Sequence, residues 1–245
     1  MKALKFTMNR FVSWGGGGLA LAGLIYVLGT VGYYRARTPE IIRTARQDAR
    51  AWHPLSEFSG WQIQALLAVQ DPGFYRHHGI DLHTPGAGLT TLTQGLAKKL
   101  YFHPFKPGIR KLQLMLLARW VLDPLVSKEE QQELFVNLIY LGKSDGRPVI
   151  GLGEAARVYY GRTMAELTET QYLSLVAMII APGNFHVKDH PEANAERTRR
   201  IAQVVNGTYQ PRGLMDLYYG PLDPETQKGL APASYFPKLY DPPKE

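Results

Sequence analysis

From Phe11 to Tyr34 the chain carries no charged residue, a stretch long enough to cross a bilayer as one helix. Lys2, Lys5 and Arg10 precede it, and Arg35 and Arg37 close it. Trp14 lies near one end and Tyr33 and Tyr34 at the other, where amphipathic rings prefer the membrane interface. The run Gly15 to Gly18 lowers helix propensity, yet membrane helices tolerate glycine better than soluble ones do. A cleaved signal peptide would have a shorter apolar core and a small-residue cleavage site, and none is clear near Tyr33 to Ala36. The reading is an uncleaved single-pass anchor over 11–34, behind a short basic amino terminus over 1–10. Arg35, Arg37, Arg43, Arg46 and Arg50 outnumber the basic residues before the span. The charge count alone would therefore keep the following domain inside, but that rule weakens when a long domain follows.

The chain has 245 residues, 45% of them hydrophobic, enough for one good core or one core with a small lobe. Cysteine is absent, which excludes disulfides and thiolate metal sites. The net charge of +7 favours anionic partners such as lipid head groups or phosphate-bearing substrates. The basic residues are dispersed and no nucleic-acid-binding module is present, so nucleic acid is not expected as a partner.

An arginine-rich stalk follows over 35–56, then a body over 57–207 and a tail over 208–245 rich in proline, glycine and tyrosine. The body reads as mainly α. Gln62 to Gln70 clusters as a short buried helix stopped by Pro72-Gly73. Thr90 to Tyr101 is amphipathic, with Leu92, Leu96 and Leu100 on one face and Thr91, Gln94 and Lys98 on the other. Residues 103–108 form a loop. Leu112 to Leu122 is apolar nearly all round, as suits a central core helix or one lying against lipid. Ser127 is placed to cap a helix over 129–140, with Glu129 and Glu130 at the positive end of its dipole. Gly151 to Tyr160, Met164 to Ala181 and Pro191 to Asn206 complete the helices. Strand signals are scarce.

Two runs carry the chemistry. The first is Gln70-Asp71-Pro72-Gly73-Phe74-Tyr75-Arg76-His77-His78-Gly79; the second is Gly88-Leu89-Thr90-Thr91-Leu92-Thr93-Gln94-Gly95-Leu96-Ala97-Lys98-Lys99. They resemble the motifs E-D-x-x-F-x-x-H-x-G and G-x-S-T-x-T-Q-Q-L-x-K-N of the bacterial peptidoglycan glycosyltransferases, glycosyltransferase family fifty-one. Arg110-Lys111 resembles that family's R-K pair. Ser127-Lys128 through Gly142 resembles S-K-x-x-I-L-x-x-Y-L-N-x-x-Y-L-G, and Gly153 to Arg162 resembles G-x-x-A-A-x-x-Y-F-G-K. Ala181-Pro182-Gly183-Asn184 stands where the family carries A-P-S-x-Y-N-P. The resemblance implies a lysozyme-like glycosyltransferase fold with a small membrane-facing lobe. It also implies lipid II or glycan strands as partners, with membrane lipids and other cell-wall synthesis proteins beside them. The domain would then lie on the extracytoplasmic side of a bacterial inner membrane.

Such an enzyme deprotonates a sugar hydroxyl as it attacks an anomeric carbon and a diphosphate leaves. It needs a carboxylate base and cations for the diphosphate. The family's first glutamate falls on Gln70, and its second, after the R-K pair, on Leu114 or Met115. No Asp or Glu occurs between Asp81 and Asp123. Lys98, Lys99, Lys106, Arg110, Lys111 and Arg119 all lie in that stretch, so the phosphate-holding side survives. The resemblance assigns substrate contacts to Thr90, Thr91, Thr93, Gln94, Lys98, Arg110 and Lys111. Gly95 replaces the family's second glutamine and Lys99 its asparagine, which alters donor specificity.

Polymerisation is thus expected to be lost or reduced. One alternative is an active transferase with Asp71 as substitute base, although Asp71 could equally fix the backbone of the Pro72-Gly73 turn. Another is a lysozyme-like hydrolase, which also needs a carboxylic acid at the cleft. No tightly bound cofactor is expected, and a divalent cation enters only if the chain is active. His77 and His78 project differently and have no carboxylate at suitable sequence spacing, so no metal is assigned.

Overall fold

The computed structural model describes residues 2–49, 51–102 and 108–221, with the backbone alone at 2–16, 19 and 109. Most of the expected 103–108 loop, with Lys106, and the tail beyond 221 lie outside the described residues.

Helix α1 runs over Lys2–Asp48 and carries Pro39 within it. Among the described residues no helix is long and apolar enough to cross a membrane; side chains 11–16 of the expected anchor lie outside them. Leu21, Leu24, Ile25 and Leu28 on α1 are exposed. Its carboxyl-terminal half docks on the body. Ile42 enters the core, and the Arg35 guanidinium donates to the Trp120 carbonyl at 2.9 Å. Buried Thr38 meets the Tyr101 hydroxyl at 2.8 Å, and burial pushes that phenol up to about 12.

The stalk is pinned as it leaves α1. Asn137 accepts from the His53 backbone N–H at 2.8 Å and donates to the His53 carbonyl at 2.8 Å. The Trp52 indole donates to Glu133 at 3.0 Å. Helix α2, Gly60–Gln70, starts on a reciprocal Ser59–Gln62 capping box. A long loop leads to α3, Leu92–Tyr101. Helix α4, Ile109–Leu117, runs through a π-helical turn at Ala118–Leu122 into the short α5, Asp123–Leu125. Helix α6, Lys128–Leu138, is capped by Ser127 as its sequence predicts.

Strands β1, Tyr140–Ser144, and β2, Arg147–Ile150, then form an antiparallel hairpin. Asp145 (φ 52°) and Gly146 (φ 75°) make its turn. That aspartate–glycine pair is the strong short-range hairpin signal, and the scarcity of strand signals concealed it. Helices α7, Leu152–Tyr160, α8, Glu169–Met178, and α9, Pro191–Val205, follow. The stretch expected to be helical over 164–181 is broken, because Thr168 caps α8 in a box with Gln171.

Helix α8 is the hub, with Tyr172 through Met178 all buried. The apolar run at 112–122 is two-sided instead: Leu114, Leu117, Ala118 and Val121 enter the core while Leu112 and Trp120 face out. Burying such aliphatic side chains is the main force holding the helices together. The segment from Thr208 to Pro221 is irregular, as expected, but well anchored. Gly86 and Gly88 donate to Gly213 and Leu214 at 2.9 and 2.8 Å. The buried Arg197 guanidinium donates to the Ala177 and Leu217 carbonyls and stacks against Phe185, Tyr218 and Tyr219.

Candidate functional site

The end of α2 and the start of α3 meet through Asp71. Its carboxylate, fully excluded from solvent, accepts the Leu92 N–H at 2.8 Å and the His77 Nε2–H at 2.9 Å. His77 Nδ1 accepts the Gly79 N–H at 3.1 Å, which places the proton on Nε2. Gly79 takes φ +82°, and a side chain there would lie 2.6 Å from the Ala118 carbonyl, so only glycine fits against the π-helical turn. Asp81 binds the His83 and Thr84 N–H groups at 2.8 and 3.0 Å. Burial pushes its carboxyl up, but the Thr84 hydroxyl and then those two N–H groups outweigh it and hold the carboxyl below the usual carboxylate range. Ligating atoms of Asp71, His77 and Asp81 lie within 4.8 Å of one another. The fold thus brings to His77 the carboxylates that sequence spacing did not place there.

The assigned substrate contacts divide by burial. Thr91 caps α3 in a reciprocal box with Gln94 and donates to the Gly79 carbonyl at 2.8 Å. Thr93 donates to Gln131 at 2.7 Å, and Gln131 donates in turn to the Val126 carbonyl. Thr91, Thr93 and Gln94 are all buried, so the polar face read from helical period at Thr91 and Gln94 points into the protein. Their bonds hold the loop and α6 to α3.

Thr90, Lys98 and Arg110 are exposed, and Lys111 is half-buried. The Lys111 ammonium lies 3.4 Å from both the Leu89 carbonyl and Thr90 Oγ1. Burial, and then the positive charge of Lys98, hold Lys111 below the usual lysine range. A half-buried ammonium that feels a second positive charge favours a bound anion, which relieves the repulsion. The fold therefore gathers Thr90, Lys98 and Lys111 at one edge, with Arg110 next along α4. Gln70 is half-buried on the last residue of α2, one residue from the bond that joins α2 to α3. Leu114 is buried in the core whereas Met115 is half-buried, so of the two aligned positions Met115 is the less enclosed. Tyr159 serves the fold: its hydroxyl donates to the Leu141 carbonyl at 2.7 Å.

A transglycosylase family model matches residues 38–206. The chain belongs to the transglycosylase family. It is 29% identical over 189 residues to penicillin-binding protein 1B of Escherichia coli (strain K12), covering 71% of this chain and 22% of that protein. It is 31% identical over 184 residues to penicillin-binding protein 1A of the same organism, covering 69% and 21%. Penicillin-binding protein 1F of Bacillus subtilis (strain 168) is 30% identical over 156 residues, 58% of this chain and 21% of that protein. The chain spans about a fifth of the length of these curated relatives. The matched region begins at residue 38, where the docked half of α1 enters the domain core with Thr38 and Ile42.

Proposed function

We propose that this is a membrane-anchored, peptidoglycan glycosyltransferase-like protein that binds lipid II or glycan strands in cell-wall assembly, with polymerising activity lost or strongly reduced. The observation that carries this reading is the amide at Gln70, with no acidic residue between Asp81 and Asp123. A positioned general base contributes about 10²- to 10⁴-fold to rate, so a site without one would bind far better than it turns over. The cationic side is intact. Lys111, Lys98 and Arg110 would receive the diphosphate, and Thr90 would add a hydroxyl beside it.

Asp71 is a weak substitute base. Its side chain is shut off from solvent and accepts from Leu92 and His77, whereas a base must reach the substrate's hydroxyl. Hydrolysis would need a carboxylic acid at the same cleft and meets the same shortage. The uncharged stretch over 11–34 and the exposed Leu21, Leu24, Ile25 and Leu28 support an anchor, with the domain outside the cytoplasm.

Titration of full-length protein with fluorescent lipid II tests the binding half. Saturable binding is expected, weakened by about tenfold in the Lys98→Gln/Lys111→Gln variant, as the loss of charge-assisted contacts worth 1.4 kcal/mol would give. No binding by the wild type would sink it.

A further inference from the structure

Gly95 lies inside α3 with an ordinary backbone, and nothing in the fold asks for glycine there. A Cβ at this position would meet only the Phe135 ring edge, at 3.8 Å, an ordinary van der Waals distance. Glycine inside a helix is unfavourable relative to alanine. What its missing side chain leaves is space: a cavity of about 290 Å³ opens beside Gly95. Phe102, Phe135, Leu138, Ile139 and the Tyr140 ring form its walls. Among the described residues its charged lining is Lys98 and Lys99, both exposed.

Such walls suit hydrocarbon and offer a sugar ring almost no hydrogen-bond partners. We propose that the Gly95 cavity receives the hydrocarbon chain of a phosphate-bearing lipid, with Lys98 and Lys99 holding its head group. This deepens the lipid-linked reading above and rests on it. It makes Gly95 a specificity-determining position, since a glutamine here would place an amide in the space the chain occupies. A second cavity of about 500 Å³ shares Lys99 and Leu138 and extends between α1 and β2. Arg37 lines it too, but Glu40, Asp48 and Glu154 outnumber it and disfavour an anionic head, so the charge pattern orients the lipid with its phosphate toward Lys98.

The test uses full-length protein in zwitterionic nanodiscs and three probes: farnesyl phosphate, inorganic phosphate and farnesol. Farnesyl phosphate should bind more tightly than either of the others. Gly95→Leu, which fills the cavity, should weaken it by about tenfold, and Gly95→Ala, which adds one methyl, by much less. Lys98→Gln/Lys99→Gln should weaken farnesyl phosphate while leaving farnesol unchanged. Leucine is a better helix former than glycine, so Gly95→Leu should keep its helical circular dichroism, and its melting temperature confirms folding. Wild-type affinity in a folded Gly95→Leu protein would overturn the proposal, as would farnesyl phosphate binding no tighter than inorganic phosphate. Lipid II measured in parallel separates the two ideas. Lipid II bound equally by wild type and Gly95→Leu removes the cavity but keeps the function; farnesyl phosphate bound without lipid II does the reverse.

Discussion

Asp71 receives one N–H from the backbone of α3 and one from the ring of His77, so its charge is spent on joining two elements. In Asp71→Asn, whichever oxygen remains, an amide N–H must face one of those donors. The substitution should cost about 1–3 kcal/mol of stability, read as a lower urea midpoint, with lipid binding per folded molecule unchanged. Gly95→Ala should act in the opposite direction, raising stability by about 0.5–1 kcal/mol in the same titration. Lys111 supplies a pH test. Its lowered pKa means that the unfolded chain holds more protons between the folded and unfolded values, so stability rises with pH across that window. Affinity for a phosphate-bearing lipid should fall through the same window, earlier than an ordinary lysine would allow. Lys98→Gln should move that fall to higher pH, because the Lys98 charge is one cause of the shift.

At this scale the sequence showed what was missing and less of what was present. That residues 70, 114 and 115 carry no carboxylate could be read directly. The partner of Asp71 could not, because Leu92 lies 21 residues away and local turn rules point only to the Pro72-Gly73 backbone. Thr91 and Gln94 were readable as a capping box, whose threonine and glutamine stand three apart; helical period alone put them on the wet face.

Most helices were legible because their starts carry caps: Ser127 before α6 is the clear case, and Ser59 and Thr168 follow the same rule. The hairpin was not legible because each strand is short and largely exposed, so alternation had little length in which to show; its Asp145-Gly146 turn was the usable signal. Nor could the hub be chosen from sequence, since the run at 112–122 and α8 are both rich in apolar residues. Packing decides between them by enclosing α8 on all sides. Two tertiary bolts make element-scale predictions. Asn137→Ala removes the paired bonds to the His53 backbone and should cost about 2 kcal/mol, with faster proteolysis at the stalk junction. Arg197→Lys keeps the charge but loses the guanidinium fork between two carbonyls. It should destabilise by about 1–3 kcal/mol and speed amide exchange over residues 214–221.

Taken whole, the molecule joins a helix with an apolar exposed stretch to a helical domain that carries Lys98, Arg110 and Lys111 and has no acidic residue between Asp81 and Asp123. The net charge of +7 suits an anionic lipid surface or a diphosphate-bearing donor. The direct measurement is polymerisation of labelled lipid II by detergent-solubilised full-length protein, run beside Gln70→Glu and Gln70→Glu/Met115→Glu. Met115 takes the second carboxylate because Leu114 is enclosed in the core, where a glutamate would disrupt packing. The wild type should bind lipid II yet yield no glycan strands, with any polymer confined to the variants that restore a carboxylate. Strands made by the wild type at rates matching those variants would contradict the loss of activity and show that another group takes the proton.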